Sequence, residues 1–594
     1  MSFTAPSLFT TRPTLQGNFG MAASTHWIGS ASAMSVLEQG GNAFDAAVAA
    51  GFVLQVVEPH LNGIGGELVA IMTTGATHEP RVLAGTGSAP AAATMDAMVD
   101  REVVAMPGSG LLSAPVPGQF DAWLLLLRDY GTWELADVLA YAIHYARSGF
   151  AVGPQLRDTI IAVRDVFAHH WASSFDMWTP AGEIPRAGDI STNPTLAHTL
   201  ERLVASAQGR TREARIDRVR TVWAEGFVAE EILRFTADPV WHSDGSFHPG
   251  LLAADDLARY RATYEDPVIG TFRGHSVAKV GAWSQGPALL QMLGILEGFH
   301  DDELDPSRED GAHVILEAVK LAMADRDSYL GGSGSPLEVL LSPQYLAARR
   351  ALIDDVASLE FRPGKVGSSD PYIPPLIACT TADPAHGAGE PTVDRTGATR
   401  GDTCHVDVAD RWGNIISATP SGGWLQSSPF IPRLGFALST RLQQCWLDPD
   451  SPSALRPGQR PRITLTPTLV RSQEGEMVAL GTPGGDGQDQ WQLLYLLRTL
   501  VGGYTPQQAI DAPAFASTSF PDSFWPRRWA PGGVNVENRL GAPVIDSLAR
   551  RGHAVTRMGD WSLGRLSSVT CDQRTGRLSA AANPRGAQGY AVGR

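Results

Sequence analysis

Cysteine is scarce in this chain, which has only Cys379, Cys404, Cys445 and Cys571 among its 594 residues. So few cysteines exclude a disulfide framework, and their spacing matches no zinc-binding pattern. The chain also lacks an excess of basic residues, because 47 Lys and Arg stand against 62 Asp and Glu, for a net charge of −15. This charge disfavours nucleic acid and anionic membranes as main partners.

Long apolar runs are missing as well. No run reaches the roughly 18 residues that a membrane-spanning helix requires. The first residues, MSFTAPSLFTTRPTLQG, lack the basic start and apolar core of a secretory signal. The sequence therefore predicts no membrane partner and a cytoplasmic location. What remains is a globular composition, 43% hydrophobic and 18% charged, in a chain long enough for one large core or several smaller ones.

The first 90 residues predict two helices followed by a hairpin. One helix ends at Gly40-Gly41, and Asn42 caps the next, which is apolar nearly all round, as a buried helix is. NGIGGELVAIMTTG indicates a glycine turn into a strand, with EPRVLAGTGSAP as its hairpin partner. Apolar residues at three- and four-residue spacing then predict a helical region from about residue 116 to 330.

Residues 362–402 have the least periodic pattern of the chain and are rich in Pro, Gly, Asp and Thr. A loop of this length in a compact protein is usually functional or mobile. Beyond it the pattern changes to strands. TCHVDVADRWGNIISATPSGG predicts a hairpin, RPRITLTPTLV and MVALGTPGG predict further strands, and a helix follows Gly484-Gly485.

Thr403 directly follows Asp402 at the start of the first strand after this loop. A threonine hydroxyl is a weak nucleophile unless a base lies beside it. A free α-amino group on the same residue, with a pKa of about 7.7–8.0, can be that base. Making this amine requires a cut before Thr403. From the residues alone, an ordinary first residue of a strand is the stronger interpretation.

Two further features have chemical alternatives. The strand that runs into Gly484 and Gly485 leads to a helix, so backbone N–H groups there could face an oxyanion or a phosphate, or simply form a turn. His405 and Asp407 lie on one face of a strand, as residues i and i+2 do. Without a third ligand nearby they do not predict a metal site, and we expect neither metal nor cofactor.

Together these stretches resemble the γ-glutamyltransferase family of N-terminal nucleophile hydrolases. QGGNAFDAAVAAGFVLQVVEPHLNGIGGE is similar to the family's amino-terminal block, and DTCHVDVADRWGNIISATPSGG to the block with its cleavage site and nucleophile. RPRITLTPTLV, GTPGG, AIDAPAF and NPRGAQGYAVGR follow in the family's order. The resemblance covers nearly the whole chain, and it reverses the interpretation of Thr403, which becomes the expected nucleophile.

The resemblance implies an α+β fold, the αββα sandwich with two sheets between helix layers. It implies a proenzyme cut between Asp402 and Thr403 into a large subunit, 1–402, and a small one, 403–594, which form one intertwined globular domain. Ser421 would hydrogen-bond the nucleophile, and the N–H groups of Gly484 and Gly485 would hold the oxyanion. Whether such two-subunit units pair as dimers is left open.

The sequence departs from the family where γ-glutamyl enzymes bind the α-carboxylate and α-amine of their substrate. The positions that differ from the family's Arg, Asn, Asp and Ser-Ser are Thr86, Gly423, Gln444, Ile463 and Thr464. Each charged hydrogen bond contributes roughly 1.5–3 kcal/mol, so their loss should cost several kcal/mol of glutamate binding. The resemblance therefore implies retained chemistry without glutamate recognition.

Two arginines, Arg441 and Arg462, occur near the altered positions, and we expect one of them to bind a carboxylate placed differently from that of glutamate. The alternative is that both are structural. The branch of the family that the chain resembles includes oxamate amidohydrolase. The leading hypothesis is an autoprocessed hydrolase of a small amide, with an anionic, oxamate-like amide among the candidates. A γ-glutamyl transpeptidase or glutathione hydrolase and a non-catalytic relative are the alternatives.

Overall fold

The computed structural model describes residues 3–332, 334–368, 370–378 and 403–594. Asp402, Cys379 and most of the expected pre-cleavage loop therefore lie outside the described residues. The strands of the two main sheets are, in chain order, β1 (Leu15–Gly17), β2 (Gly20–Ser24), β3 (Glu67–Thr73), β4 (Arg81–Gly85), β5 (Thr263–Glu265), β6 (Val268–Phe272), β7 (His275–Lys279), β8 (Val406–Asp410), β9 (Ile415–Ser421), β10 (Thr468–Arg471), β11 (Met477–Gly481), β12 (Ser567–Asp572), β13 (Arg577–Ala582) and β14 (Tyr590–Gly593).

Each main sheet has seven strands, and all neighbouring strands are antiparallel. The first sheet has the order β1-β13-β12-β11-β10-β7-β6, and the second has the order β14-β2-β8-β9-β3-β4-β5. Both sheets thus combine strands from before and after residue 402. Shorter strands pair elsewhere: Phe150–Ala151 with Ile190–Ser191, Val240–Trp241 with Phe247–His248, Ile377–Ala378 with Arg528–Trp529, and Gly533–Val536 with Phe515–Ser517 and Ala554–Arg557.

The helices are, in chain order, α1 (Trp27–Glu38), α2 (Ala43–Val57), α3 (Met95–Val99), α4 (Gln119–Tyr130), α5 (Leu135–Ser148), α6 (Pro154–His170), α7 (Ala172–Trp178), α8 (Pro194–Ala205), α9 (Arg212–Glu225), α10 (Phe227–Thr236), α11 (Ala254–Arg259), α12 (Gly286–Leu296), α13 (Glu309–Tyr329), α14 (Leu337–Leu340), α15 (Pro343–Arg350), α16 (Gln488–Leu496), α17 (Pro506–Asp511) and α18 (Ala542–Arg550). None of those in the described ranges combines the length and apolar character needed to span a membrane.

Alternate side chains of the strands pack into two different parts of the core, one between the two sheets and one between a sheet and the helices. Along β3, Val69 and Ile71 pack with Ala479 and Val569 of the first sheet. The intervening Leu68 and its neighbours on the same face join the core of α1, α2 and α4. Successive side chains of a strand point to opposite faces, so both faces of this strand are buried. Residues of β7, β10 and β11 contribute in the same way to a third core with α12, α13 and α16.

The predicted first helices and hairpin are confirmed. Asn42 Oδ1 accepts hydrogen bonds from Phe44 N and Asp45 N, and Asp45 in return accepts one from Asn42 N, which makes a reciprocal cap. Every residue of α2 is buried, as its apolar composition predicts. The chain then turns into β3, which pairs with β4.

Some boundaries differ from the predicted ones. The strand expected in RPRITLTPTLV begins only at Thr468, directly after Pro467, which has no N–H to donate to a ladder. The helix expected after Gly484-Gly485 begins at Gln488, because Gly485–Gly487 form a 3₁₀ turn first. The region from 116 to 330 is rich in helices but also contains β5, β6 and β7.

Candidate active site

Thr403 and Ser421 face each other at the open end of the β8–β9 hairpin. The two residues form an antiparallel bridge, and Thr403 Oγ1 lies 3.1 Å from Ser421 Oγ. Both side chains are buried. The turn at the other end fixes the register, because Asp410 accepts hydrogen bonds from the backbone N–H groups of Trp412 and Asn414 at 2.9 and 3.1 Å. The structure therefore brings together the predicted nucleophile and its predicted hydroxyl partner.

Glycines allow two backbone segments to cross beside this pair. A Cβ on Gly66 would lie 2.1 Å from the carbonyl oxygen of Ser421, and one on Gly63 would lie 2.2 Å from that of Gly423. Gly422 has a φ of +77°, and a Cβ there would lie 2.1 Å from Glu67 Oε2. These contacts explain the glycines of NGIGGE and SGG, since any side chain would separate the segments.

Arg441 connects Ser421 to a buried carboxylate. Its Nη2 donates to Ser421 Oγ at 2.8 Å, and its Nε donates to Glu67 Oε2 at 3.2 Å. The guanidinium also lies over the rings of Trp424 and Phe524, 5.2 and 5.9 Å from their centroids. Burial raises the pKa of Glu67, and the charge of Arg441 opposes that rise. The ion pair is enclosed almost completely.

The predicted oxyanion turn lies where β11 ends. Gly484 and Gly485 have φ values of +122° and +51°, which favour glycine. The preceding Gly481 packs against the ring of His405, so that a Cβ on Gly481 would lie 2.2 Å from His405 Cε1. His405 is two residues beyond Thr403, and this contact brings the end of β11 to the start of the β8–β9 hairpin.

A buried ionic network from residues before position 402 contacts the turn that contains Gly484 and Gly485. Gln285 Nε2 donates to the carbonyl oxygen of Gly485 at 3.2 Å, and Arg326 Nη1 donates to Gln285 Oε1 at 3.1 Å. Arg326 also forms an ion pair with Asp486. Burial by itself would raise the pKa of Asp486, but Arg326 and Ser523 lower it overall. Asp486 is therefore a carboxylate at neutral pH.

Arg462 belongs to this network and not to the Thr403 cluster. Its Nη1 donates to Asp327 Oδ1 at 2.7 Å, and its Nη2 donates to Ser523 Oγ at 3.4 Å. Asp327 in turn pairs with Arg326 at 3.1 Å. Of the two arginines singled out in the sequence, Arg441 is thus the one in direct contact with Ser421.

The remaining predicted binding residues are all buried. Gly423 has a φ of +64° and packs against the backbone of Gly66 and Gly63. The Ile463 side chain lies in the core between the sheets. Several polar groups at these positions have no hydrogen-bond partner among the described residues: Thr86 Oγ1, Thr464 Oγ1, Arg441 Nη1 and both amide atoms of Gln444.

His405 and Asp407 form part of a hydrogen-bonded core. His405 Nδ1 and Thr419 Oγ1 are 2.9 Å apart, His405 Nε2 and Asp407 Oδ1 are 2.8 Å apart, and Ser567 Oγ donates to Asp407 Oδ2 at 2.8 Å. Both ring nitrogens of His405 thus have hydrogen-bond partners within the protein.

In the described part of the chain, one group could hold a metal ion, and it lies elsewhere: His313, Glu317 and His553. Glu317 already pairs with Lys320 and Arg362, two cations that would repel a metal. We assign no metal to it.

Sequence reasoning did not single out Glu67, Gln285, Arg326 or Asp486. Glu67 stands at the end of NGIGGE, and Asp486 directly follows Gly484 and Gly485. Their adjacency to these motifs was the available signal. Their partners lie 374 and 160 residues away in the chain, and nothing local identifies them.

Comparison with known proteins identifies the family of the chain. The gamma-glutamyltranspeptidase family model matches residues 29–593. The glutathione hydrolase-like YwrD proenzyme of Bacillus subtilis (strain 168) is 30% identical over 591 residues, which cover 97% of this chain and 99% of that protein. The oxamate amidohydrolase proenzyme of Klebsiella pneumoniae is 27% identical over 590 residues, covering 97% and 98%. The solved structure of LmbA2991HD is 49% identical, with a TM-score of 0.93, and covers 99% of this chain and 100% of that one.

Proposed function

Because this chain belongs to the gamma-glutamyltranspeptidase family, whose model covers residues 29–593, we propose that it is an autoprocessed hydrolase of a small amide with Thr403 as nucleophile. The family makes it an amide hydrolase or acyltransferase. The observation that carries the proposal is the buried hydrogen-bonded pair of Thr403 and Ser421. We further infer that the two sheets and their helices are the αββα sandwich of the N-terminal nucleophile hydrolases.

Maturation would begin with Thr403 itself. Its hydroxyl attacks the carbonyl carbon of Asp402, the peptide C–N bond breaks, and an ester to Thr403 Oγ1 forms while the hydroxyl proton passes to the departing nitrogen of Thr403. Water then hydrolyses the ester, which leaves a carboxylate on Asp402 and a free α-amine on Thr403. The products are a large subunit, 1–402, and a small subunit, 403–594. Both main sheets contain strands from the two products, so they remain one folded unit.

Catalysis would repeat this chemistry on an external amide. The Thr403 α-amine, with an ordinary pKa of about 7.7–8.0, takes the hydroxyl proton as Thr403 Oγ1 attacks the carbonyl. The N–H groups of Gly484 and Gly485 hold the oxyanion. The amine returns the proton to the leaving nitrogen, and water cleaves the acyl-enzyme.

The substrate's acyl group is proposed to be small and polar. Gly423 has neighbouring backbone where a side chain would be, Ile463 lies in the core, and Gln444 carries no charge. Arg441 and Gln444 are residues i and i+3 of one 3₁₀ turn, so their side chains lie on one face. Their unpartnered donors, Arg441 Nη1 and Gln444 Nε2, are available to an oxygen of the substrate.

The charge preference of that site depends on Glu67. An isolated buried guanidinium would demand an anion, but Arg441 already pairs with Glu67. The pair offers directed N–H groups with little net charge, so a neutral carbonyl and a carboxylate both fit. Oxamate and its neutral analogue oxamide therefore form the informative pair of substrates. Arg462, paired with Asp327, has weaker support as a substrate residue.

The first test is the intact mass of the purified protein beside Thr403→Ala. We expect fragments 1–402 and 403–594 in the wild type and one chain in the variant. Ammonia release from oxamate and oxamide is then compared with p-nitroaniline release from γ-glutamyl-p-nitroanilide. Turnover of the small amides in preference to the glutamyl substrate supports the proposal, and an uncleaved, inactive wild type contradicts it.

Glutathione hydrolysis is the second candidate. The similarity to the glutathione hydrolase-like YwrD proenzyme of Bacillus subtilis, 30% identical over 591 residues, favours it. It would require a glutamate site rebuilt from Arg441 and Gln444 in place of the family's residues. Glutathione turnover that exceeds that of both small amides would select this function.

A further inference from the structure

We propose that Arg441 is a positioning residue that makes Ser421 the hydrogen-bond donor to Thr403. The inference rests on the proposed role of Thr403 as nucleophile. It starts from two short contacts, Arg441 Nη2 to Ser421 Oγ at 2.8 Å and Ser421 Oγ to Thr403 Oγ1 at 3.1 Å. The guanidinium of Arg441, the hydroxyl of Ser421 and the proposed nucleophile Thr403 therefore form a continuous row of hydrogen-bonded groups.

The direction of the second hydrogen bond follows from the first. Two neighbouring hydroxyls can each donate to the other, so distance alone does not say which proton is shared. A guanidinium only donates, and Ser421 Oγ therefore accepts from Arg441. The positive charge draws electron density from Ser421 Oγ, which makes its O–H a stronger donor and its oxygen a poorer acceptor. Ser421 then donates to Thr403 Oγ1.

This direction assists the attack by Thr403. In the mature enzyme, with Thr403 Oγ1 accepting from Ser421, the proton of Thr403 itself is directed to the α-amine. As that proton leaves, negative charge grows on Thr403 Oγ1, and a donor already in place stabilises it without reorganisation. Ser421 keeps its proton throughout, so the proton count of the proposed reaction is unchanged.

The fold holds Arg441 rigidly for this role. Ser421 and Glu67 are register partners on β9 and β3, and Thr403 bridges to Ser421 from the other side. The three residues thus form one row across adjacent strands. Arg441 spans the Ser421–Glu67 part of the row, with Trp424 and Phe524 against its guanidinium. Glu67 balances the buried charge, which would otherwise be costly.

A competing role for Arg441 is direct substrate binding through Nη1, which has no partner among the described residues. The two roles differ in their kinetic signature. A donor that acts through Ser421 lowers kcat and the self-cleavage rate when lost, with KM nearly unchanged. A substrate contact raises KM and leaves self-cleavage unaffected.

The experiment is a double-mutant cycle on self-cleavage rate and on kcat, with Ser421→Ala, Arg441→Met and the double variant. Each single change should lower both rates roughly 10- to 100-fold, the usual range for a lost charge-assisted hydrogen bond. If Arg441 acts through Ser421, the double variant should be within about 3-fold of Ser421→Ala. The inference would be overturned if the fold-losses of the two single variants multiply in the double variant, or if Arg441→Met changes only KM.

Three further variants guard against a loss of folding. Arg441→Lys keeps a cationic donor and should recover part of the lost rate. Glu67→Gln combined with Arg441→Met removes both buried charges, and a wild-type melting temperature with a low rate would support the positioning role. Arg220→Met removes another buried arginine, paired with Asp121, and should leave kcat unchanged. An inactive wild type would instead refute the proposed function, so the two failures are distinguishable.

Discussion

The guanidinium of Arg326 binds the carboxylate of Asp486 and so ties helix α13 to the turn that contains Gly484 and Gly485. Both side chains are almost fully enclosed. Arg326 lies before the expected cleavage point, whereas the N–H groups of the proposed oxyanion site, those of Gly484 and Gly485, lie after it. An oxyanion site needs its donors fixed before charge develops, and this ion pair supplies the constraint.

Asp486→Asn tests that constraint. The substitution keeps the shape of the side chain but removes the charge that faces Arg326, so we expect kcat to fall roughly 10- to 100-fold through a loosened oxyanion turn. Breaking a buried pair should also cost about 3–5 kcal/mol of stability. Asp546→Asn, at an exposed ion pair with Arg557, is the control and should change neither. An unchanged kcat in Asp486→Asn would show that the turn is rigid without Arg326.

Thr403→Ser removes the methyl group of the proposed nucleophile and keeps its hydroxyl. A serine retains the hydroxyl and, after cleavage, the α-amine, so this variant should still be cut, more slowly than the wild type. Thr403→Ala should stay intact because no hydroxyl remains to attack the preceding carbonyl. Intact-mass time courses of the three proteins give the result. Cleavage in Thr403→Ala at the wild-type position would assign the nucleophile elsewhere.

Cleavage should not separate the two products. Three buried ion pairs each join a residue before position 402 to one after it. They are Lys279 with Asp489 at 3.0 Å, Glu67 with Arg441 at 3.2 Å, and Arg326 with Asp486. Buried ion pairs are screened far less by salt than exposed ones. We expect two bands on a denaturing gel but one species in native mass spectrometry and in size exclusion at 1 M salt, where the Debye length is about 3 Å. Separation of the fragments in salt would contradict the shared sheets.

His26 should make the protein less stable as pH falls. Burial lowers the pKa of His26 to about 3, and its Nδ1 accepts a hydrogen bond from Ile28 N at 3.2 Å at the start of α1. The unfolded chain, with a histidine pKa of about 6.5, takes up a proton before the folded chain does. Stability is therefore lost below pH 6.5, by about 2 kcal/mol at pH 5.

His26→Asn tests this pH dependence, because asparagine can cap the helix without titrating. Urea unfolding at pH 7 and pH 5 is measured in the Thr403→Ala background, so that a single chain unfolds. The variant should lose less stability between the two pH values than its parent. The exposed His300→Asn serves as control and should follow the parent. Equal losses in all three proteins would exclude His26 as the source.

Gly66→Ala should disrupt the site by crowding. A Cβ at this position would lie 2.1 Å from the carbonyl oxygen of Ser421, so β9 must shift away from Gly66. We expect a stability loss of about 1–3 kcal/mol, together with slow or absent self-cleavage. Gly332→Ala, where no atom lies within 4 Å of the added Cβ, is the matched control. Normal self-cleavage in Gly66→Ala would mean that the backbone at Ser421 can move away from Gly66 without loss of the site.

Much of the secondary structure was predictable because its causes are local. The Asn42 cap, the burial of α2, the alternation along β3 and the β8–β9 hairpin each depend on residues within a few positions of one another. The start of β10 was predicted wrongly because Pro467 interrupts the ladder. The site was predictable in part, since Thr403 lies just before one strand of a hairpin and Ser421 lies at the end of the other.

The sequence by itself indicated most of the elements and, through its family resemblance, the candidate nucleophile and the expected loss of glutamate-binding side chains. Only the tertiary structure decided which charges meet. Arg441 and Arg462 look alike in sequence, yet Arg441 reaches Ser421 and Glu67 while Arg462 pairs with Asp327. Local propensity and periodic burial act over a few residues. The partner of a buried charge depends on which distant strands and helices become neighbours. Glu67 and Arg441 are 374 positions apart, and the sequence between them carries no signal that the two side chains meet.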